Sequence, residues 1–108
     1  MVNPTQTLAW QSLTAHSQQF KKPEFHLHSL FQEGRFKEFS ASHGDLLLDF
    51  SKHYLNSETF SLLTQLAEEC GLQEAIGAMF AGEKINYTEN RAVLHTALRA
   101  PAADQLPE

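Results

Sequence analysis

The sequence predicts a small, mainly helical α+β fold with about four to five helices and one β-hairpin. Three observations predict it: apolar residues recur at helical spacing over most of the chain, one central stretch alternates, and Gly and Pro separate these segments. With 108 residues and 42% hydrophobic content, the chain has the size of one small domain and an ordinary globular composition. We therefore expect residues 1–108 to form a single segment.

The first predicted helix runs from about Pro4 to Phe20. Asn3 stands before Pro4, which is the usual arrangement of an N-cap residue followed by proline at the first helical position. The Lys-Lys-Pro sequence at 21–23 is expected to end the helix. The residues expected on its inner face are Ala9, Leu13, Ser17 and Phe20.

A short helix and a hairpin are predicted next. Ser29 is placed to cap the helix, which Gly34 would end. Apolar side chains then alternate over residues 46–50, and the Ser-His-Gly-Asp sequence at 42–45 supplies turn chemistry because Gly44 can adopt a positive φ. A β-hairpin fits this pattern best.

Two further helices follow the hairpin. Asn56 and Ser57 offer caps for the longer one, and Gly71 is expected just past its end. Its predicted apolar face consists of Phe60, Leu63, Leu66, Ala67 and Cys70. A shorter helix with apolar positions at 75, 76, 79 and 80 is expected to stop at Gly82.

A final helix is predicted from Asn86 or Thr88 to Pro101. The spacing of Asn86 and Glu89 forms a variant of the capping box, in which each side chain bonds the other residue's backbone N–H. Proline cannot continue a helix, so Pro101 would end it.

The final helix would carry a cationic stripe, because Arg91, His95 and Arg99 follow one another at intervals of four residues. Such a stripe could bind a phosphate or carboxylate through its guanidinium groups. It could equally be an exposed or ion-paired helix surface, and the spacing alone favours that second interpretation.

Charge and composition exclude several classes of protein. The net charge of −5 argues against a general nucleic-acid or anionic-membrane binder, which needs a surplus of Lys and Arg on one surface. The first residues lack the features of a signal peptide, and no apolar stretch approaches the ~20 residues that span a bilayer. A cytoplasmic protein is therefore expected.

Candidate chemistry is sparse in this sequence. Cys70 is the single cysteine, which excludes an intramolecular disulfide, and its apolar neighbours favour a packing role. His26 and His28 are two residues apart, yet no Cys or carboxylate stands at a spacing that completes a metal set. The sequence also lacks the motifs of serine hydrolases, P-loop proteins, dinucleotide-binding proteins and zinc proteases.

The run GEKINYTENRAVLHTALR, residues 82–99, closely resembles a stretch near the amino terminus of the glucose-6-phosphate isomerases, also called phosphoglucose isomerases. The likeness covers nearly the whole chain. It extends to NPTQTLAWQSL at 3–13, RFKEFSA at 35–41, LLLDFSKHYL at 46–55 and AEECGLQEAIGAMFAGEKIN at 67–86.

The resemblance implies an aldose-ketose isomerase of glycolysis and gluconeogenesis. Members of that family interconvert glucose 6-phosphate and fructose 6-phosphate through an enediol, at a homodimer interface and without a cofactor. The family's catalytic and phosphate-binding motifs lie downstream of the region seen here, so no catalytic, substrate-binding or metal-binding residue is assigned in residues 1–108.

The resemblance also implies what this chain is. We expect the amino-terminal segment of a larger α/β enzyme of the sugar-isomerase type, without its catalytic α/β domains, inactive alone and with the remainder of the isomerase polypeptide as its partner. Glu89, Arg91, His95 and Arg99 would then have a structural or docking role. The alternative is a standalone helical protein-interaction module derived from that enzyme.

Overall fold

The computed structural model describes residues 2–101. Over that range the chain forms four α-helices and one two-stranded antiparallel sheet, which confirms the predicted mainly helical α+β class. The helices are α1 (Leu8–His16), α2 (Arg35–Glu38), α3 (Ser57–Glu69) and α4 (Leu72–Phe80), and the strands are β1 (Ser40–His43) and β2 (Leu46–Asp49). Additional 3₁₀ turns occupy Pro4–Gln6, Ser17–Lys21, Leu27–Leu30 and Ala97–Arg99.

The first predicted helix is present but divided into three parts. Asn3 caps only the turn at Pro4–Gln6, where its side chain accepts a hydrogen bond from the Thr5 N–H. Thr7 then adopts an extended conformation, and its hydroxyl accepts a 3.2 Å bond from the Trp10 N–H at the start of α1. The break arises because Thr7 forms a second N-cap inside the predicted helix.

The prediction that Ser29 caps a short helix is wrong. Ser29 lies within the turn at Leu27–Leu30, and its hydroxyl donates a 2.7 Å bond to the carbonyl of His26. A serine hydroxyl that bonds a preceding carbonyl competes with the capping geometry. Gly34 does adopt a positive φ of 84°, but it precedes α2 instead of ending a helix.

The predicted hairpin is confirmed. β1 and β2 pair antiparallel, with Ser42 opposite Leu47 and His43 opposite Leu46. Gly44 has a φ of 55° at the first position of the two-residue loop, a position where hairpin turns favour glycine. Leu46, Leu47 and Leu48 are 74%, 60% and 64% exposed, so the described chain covers neither face of β2.

The helix predicted after Asn56 is confirmed as α3. Asn56 and Thr59 form a complete capping box at its start, and Gly71 has a φ of 71° just beyond its end. Its predicted apolar face is only partly covered: Phe60 is 50% exposed and Leu63 is 46% exposed, whereas Leu66, Ala67 and Cys70 are half-buried. α3 packs against α1, and Thr59, which contacts His16 of α1, is buried there.

The structure is a flat layer with a very small core. Its buried apolar residues are Ala9, Phe39 and Leu55. Its extents are 56 × 37 × 17 Å and its radius of gyration is 18.5 Å, whereas a compact domain of this length has about 13 Å. The chain exposes 8842 Å², about 2,700 Å² more than the ~6,100 Å² expected of a compact monomer of its mass.

Residues 2–101 contain no candidate membrane-spanning helix. No helix there combines the length and the apolar character that crossing a bilayer requires.

Candidate functional site

The segment that carries the predicted site residues is a turn, and the predicted final helix is wrong. Asn86 and Arg91 form an isolated antiparallel bridge, with N–O distances of 3.0 and 3.1 Å, around a loop at 87–90. The Asn86 side chain accepts a bond from the Glu89 N–H at 3.3 Å and donates one to the Glu89 carboxylate at 3.0 Å. Only half of the predicted capping box therefore forms, because the Asn86 backbone N–H bonds the Arg91 carbonyl and not the Glu89 side chain. Asn90, with a φ of 51°, turns the chain back instead of continuing a helix.

The cationic stripe is consequently not formed. Arg91 lies in the bridge, His95 lies in a turn, and Arg99 lies in the 3₁₀ turn Ala97–Arg99, where its Nη1 donates a 3.0 Å bond to the His95 carbonyl. All three side chains are exposed, and within the described range no carboxylate comes within 4.0 Å of them. These residues offer positive charge to a neighbour, but they do not converge on one ligand site.

Metal binding also lacks a structural basis within residues 2–101. There, no three side chains among His, Cys, Asp and Glu are grouped in a way that could hold an ion. His26 and His28, the pair considered from the sequence, belong to different local structures, because His28 lies inside a 3₁₀ turn and His26 precedes it.

The first polar junction in the structure joins α1 to the start of α3. His16 is the last residue of α1, and its side chain is only 5% exposed. Its Nε2 lies 2.6 Å from the Thr59 hydroxyl, and its Nδ1 lies 3.3 Å from the Glu58 carboxylate. Because the Thr59 hydroxyl also accepts the Asn56 N–H at 3.0 Å, one buried hydroxyl serves both the capping box and the contact between the two helices.

A second junction lies at the other end of the same helix pair. The Glu69 carboxylate accepts a 3.1 Å bond from the Ala9 N–H and a 2.8 Å bond from the Gln65 side chain. These bonds, with the Ala9 N–H contributing most, lower the pKa of Glu69 because they stabilise its ionised form.

The third junction is formed by Arg35, whose side chain is 8% exposed. Its Nε donates to the Ser51 carbonyl, and its Nη2 donates to the carbonyls of His53 and Leu55, both at 3.0 Å. Its guanidinium also lies over the Phe39 ring, 4.6 Å from the centroid. Arg35 thus organises the loop between β2 and α3.

Sequence reasoning missed the roles of His16, Arg35 and Glu69. A partial signal exists for Arg35, which has the aromatic residues Phe31, Phe36 and Phe39 within four positions. No signal exists for Glu69, because its partner Ala9 is 60 positions away and donates through the backbone.

These junctions hold secondary-structure elements together and do not assemble a reaction centre. A proton-transfer enzyme needs an acid or base within hydrogen-bond reach of its substrate. In residues 2–101, the carboxylate of Glu69 and the imidazole of His16 instead bond helix termini, and the Arg35 guanidinium bonds loop carbonyls. Each of these groups therefore has a structural role.

Comparison with known proteins identifies the family. The family model for phosphoglucose isomerase matches residues 49–107, which is more than half of the chain. Glucose-6-phosphate isomerase of Nitrosospira multiformis is 50% identical over 109 aligned positions, which cover 98% of this chain and 20% of the relative. The chain thus spans about a fifth of the length of that curated relative. The match confirms the resemblance seen in the sequence, and the chain belongs to the phosphoglucose isomerase family.

Proposed function

We propose that this chain is the amino-terminal part of a cytoplasmic, homodimeric glucose-6-phosphate isomerase, in which it supports the active site without forming it. The isomerase would convert glucose 6-phosphate to fructose 6-phosphate. The observation that carries the proposal is the flat layer, which leaves about 2,700 Å² more surface exposed than a compact monomer of this mass. Each side of a permanent interface loses about 1,000–2,500 Å², so the excess is slightly larger than one large interface of this kind.

The apolar residues on this surface form a continuous path. On β2, Leu46 and Leu48 point to one face of the hairpin, as expected from the alternation of side chains along a strand. Phe50 follows β2 in the same register and stacks on Phe60 of α3, with ring centroids 5.7 Å apart. Leu63 lies one helical turn further along α3. We take this path as the surface that the remaining four fifths of an isomerase would cover.

The chemistry of the isomerisation also supports a structural role for this chain. Moving a proton between two sugar carbons requires a general base, and the phosphate requires a fixed set of hydrogen-bond donors. Arg91, His95 and Arg99 are exposed and dispersed, so they suit contacts to a neighbouring domain better than a closed sugar-phosphate pocket.

Complementation of activity tests this function. The Nitrosospira multiformis relative would be prepared without the segment that this chain matches, and isomerisation would be followed by oxidation of glucose 6-phosphate with a coupled dehydrogenase. Neither part alone should show turnover, and the mixture should recover it. Turnover by the 108-residue chain alone would overturn the proposal.

The alternative function is a standalone interaction module, and the exposed leucines of β2 favour it equally. A module would bind a protein partner through Leu46–Leu48 without restoring isomerase activity. The same experiment separates the two functions: recovered turnover supports the isomerase part, and tight association without turnover supports the module.

A further inference from the structure

A small pocket lies between the segment around α2 and the loop that follows β2. It has a volume of about 250 Å³. The residues that line it are Phe31, Gln32, Arg35, Phe36, Ser51 and Lys52. Phe31 and Phe36 are 46% and 54% exposed, so the lining combines two partly exposed aromatic residues with the two cationic residues Arg35 and Lys52.

Arg35 brings an uncompensated positive charge to this pocket. More than nine tenths of the residue is buried, and its Nε and Nη2 bonds end on the neutral carbonyls of residues 51, 53 and 55. Between Val2 and Pro101, no carboxylate lies within 4.0 Å of its guanidinium. A buried charge without a counter-charge is unfavourable, so an anion at this position would be stabilised.

One nitrogen of the guanidinium is available for such an anion. Arg35 Nη1 makes no hydrogen bond to any described residue, and it is not among the fully buried atoms that lack a partner. This nitrogen is therefore not fully buried, and Arg35 lines this pocket as well as a neighbouring one that Glu33 and Glu38 also line. Lys52 is exposed and adds a second positive charge, while the Gln32 amide can donate a further hydrogen bond.

The carboxylate of Asp49, at the end of β2, already has other partners. Asp49 Oδ1 accepts bonds from the Ser51 N–H at 2.9 Å and from the Ser51 hydroxyl at 2.6 Å. It forms no contact within 4.0 Å with Lys52. The charge of Lys52 contributes to the lowered pKa of Asp49 from a longer distance, so neither cation of the pocket forms a direct ion pair among residues 2–101.

We propose that this pocket binds a carboxylate group carried on a small apolar or aromatic body. One guanidinium nitrogen without a partner and one ammonium match the single charge of a carboxylate better than the nearly double charge of a phosphate. The pocket is smaller than the 300–1,000 Å³ typical of drug-sized ligands, so a single aromatic acid or one acidic side chain fills it. The proposal is independent of the isomerase assignment.

The carboxylate has two possible sources: a free small acid, or an acidic side chain of a docked polypeptide. Titration of the ¹⁵N-labelled chain with benzoate and with the blocked dipeptide acetyl-Asp-Phe-amide distinguishes them by NMR. Saturable shifts of the Arg35 Nε–H signal and the amides of residues 31–36 are expected with at least one ligand. Preference for benzoate assigns a free acid, and preference for the dipeptide assigns a polypeptide.

Matched controls make the test decisive. Benzamide has the shape of benzoate without its charge and should not bind. Lys52→Gln should weaken carboxylate binding about three- to fivefold, the range of an exposed charge pair, and it leaves the Arg35 contacts intact. Lys37→Gln removes an exposed charge of α2 outside the pocket and should change little. The proposal is overturned if neither carboxylate saturates, if benzamide binds equally, or if the two lysine variants weaken binding alike.

Discussion

The Glu69 carboxylate at the end of α3 accepts a 3.1 Å hydrogen bond from the backbone N–H of Ala9 in the first turn of α1. The first turn of α1 contains no acidic residue, although a helix N-terminus favours negative charge. The charge is supplied by another helix, 60 positions away in sequence. One contact therefore caps α1 and also fixes its position on α3.

Glu69→Gln should reduce the stability of the chain at neutral pH and make that stability less dependent on pH. The Ala9 N–H bond lowers the pKa of Glu69 below its ordinary value of 4.5. A carboxyl group with a lowered pKa stabilises the fold fully above that ordinary value, and the contribution is lost as the pH falls through the folded-state pKa. Thermal melting between pH 7 and pH 3 measures this loss, which should be smaller in the variant.

Glu68→Gln is the matched control, since Glu68 neighbours Glu69 on α3 and its carboxylate accepts no hydrogen bond from residues 2–101. Some acid sensitivity should remain in both variants, because bonds from Ser51 also lower the pKa of Asp49 below 3.8. If Glu68→Gln and Glu69→Gln flatten the pH profile equally, the assignment to the Ala9 contact is wrong.

Thr59→Val should destabilise the chain by about 1–3 kcal/mol, because it leaves buried polar partners unsatisfied. Valine keeps the shape of threonine but removes the hydroxyl that contacts His16 and accepts the Asn56 N–H. Urea unfolding measures the loss. Thr64→Val is the control on the same helix, where an exposed hydroxyl bonds only the Phe60 carbonyl, and it should change stability by less than about 0.5 kcal/mol.

The sequence correctly predicts the elements that are determined by residues close together in the chain. The hairpin around Gly44 and the start of α3 at Asn56 depend on residues within a few positions, and both were found where expected. The same logic failed at Asn86, because its side-chain bonds to Glu89 fit a helix N-terminus and a four-residue turn equally well. The positive φ of Asn90 selected the turn.

The sequence does not reveal which elements and side chains pack against one another. Apolar periodicity placed Phe60 and Leu63 on one face of α3, but it could not show that residues 2–101 leave these two side chains about half exposed. Arg35 could not be recognised as a loop organiser, because its acceptors are backbone carbonyls that carry no sequence signature. The family, by contrast, could be recognised from the sequence, since long motifs identify relatives without any knowledge of packing.

Arg35→Met should lower the free energy of unfolding by about 3 kcal/mol, because hydrogen bonds from a charged group are each worth about 1.5–3 kcal/mol and partial rearrangement offsets some of the loss. The change removes the donors to the carbonyls of residues 51, 53 and 55. Amide exchange should quicken first over residues 51–55. Lys37→Met, at an exposed site on α2, is the control; equal stability of the two variants would contradict the structural role of Arg35.

Leu47→Lys should reduce self-association of the isolated chain. Three consecutive exposed leucines on a strand with a free edge favour pairing with another copy, and a lysine on an edge strand opposes it. Sedimentation at increasing concentration measures the effect. Ser42→Lys adds the same charge at the position paired with Leu47 but keeps the leucine, so it should have a smaller effect. A wild-type chain that stays monomeric at every concentration would contradict the prediction.

Arg91→Ala tests the docking role of the exposed cations in an intact enzyme, built by exchanging this chain for the matching segment of the Nitrosospira multiformis relative. Because Arg91 is exposed and bridges Asn86 only through its backbone, its side chain is free to bond a covering domain. The substitution should lower the melting temperature while leaving the pH profile of turnover nearly unchanged. Lys84→Ala, an exposed cation of the same segment, is the control. A shifted pH profile at an unchanged melting temperature would place Arg91 in the reaction centre, where a group that touches the substrate alters the titration of its neighbours.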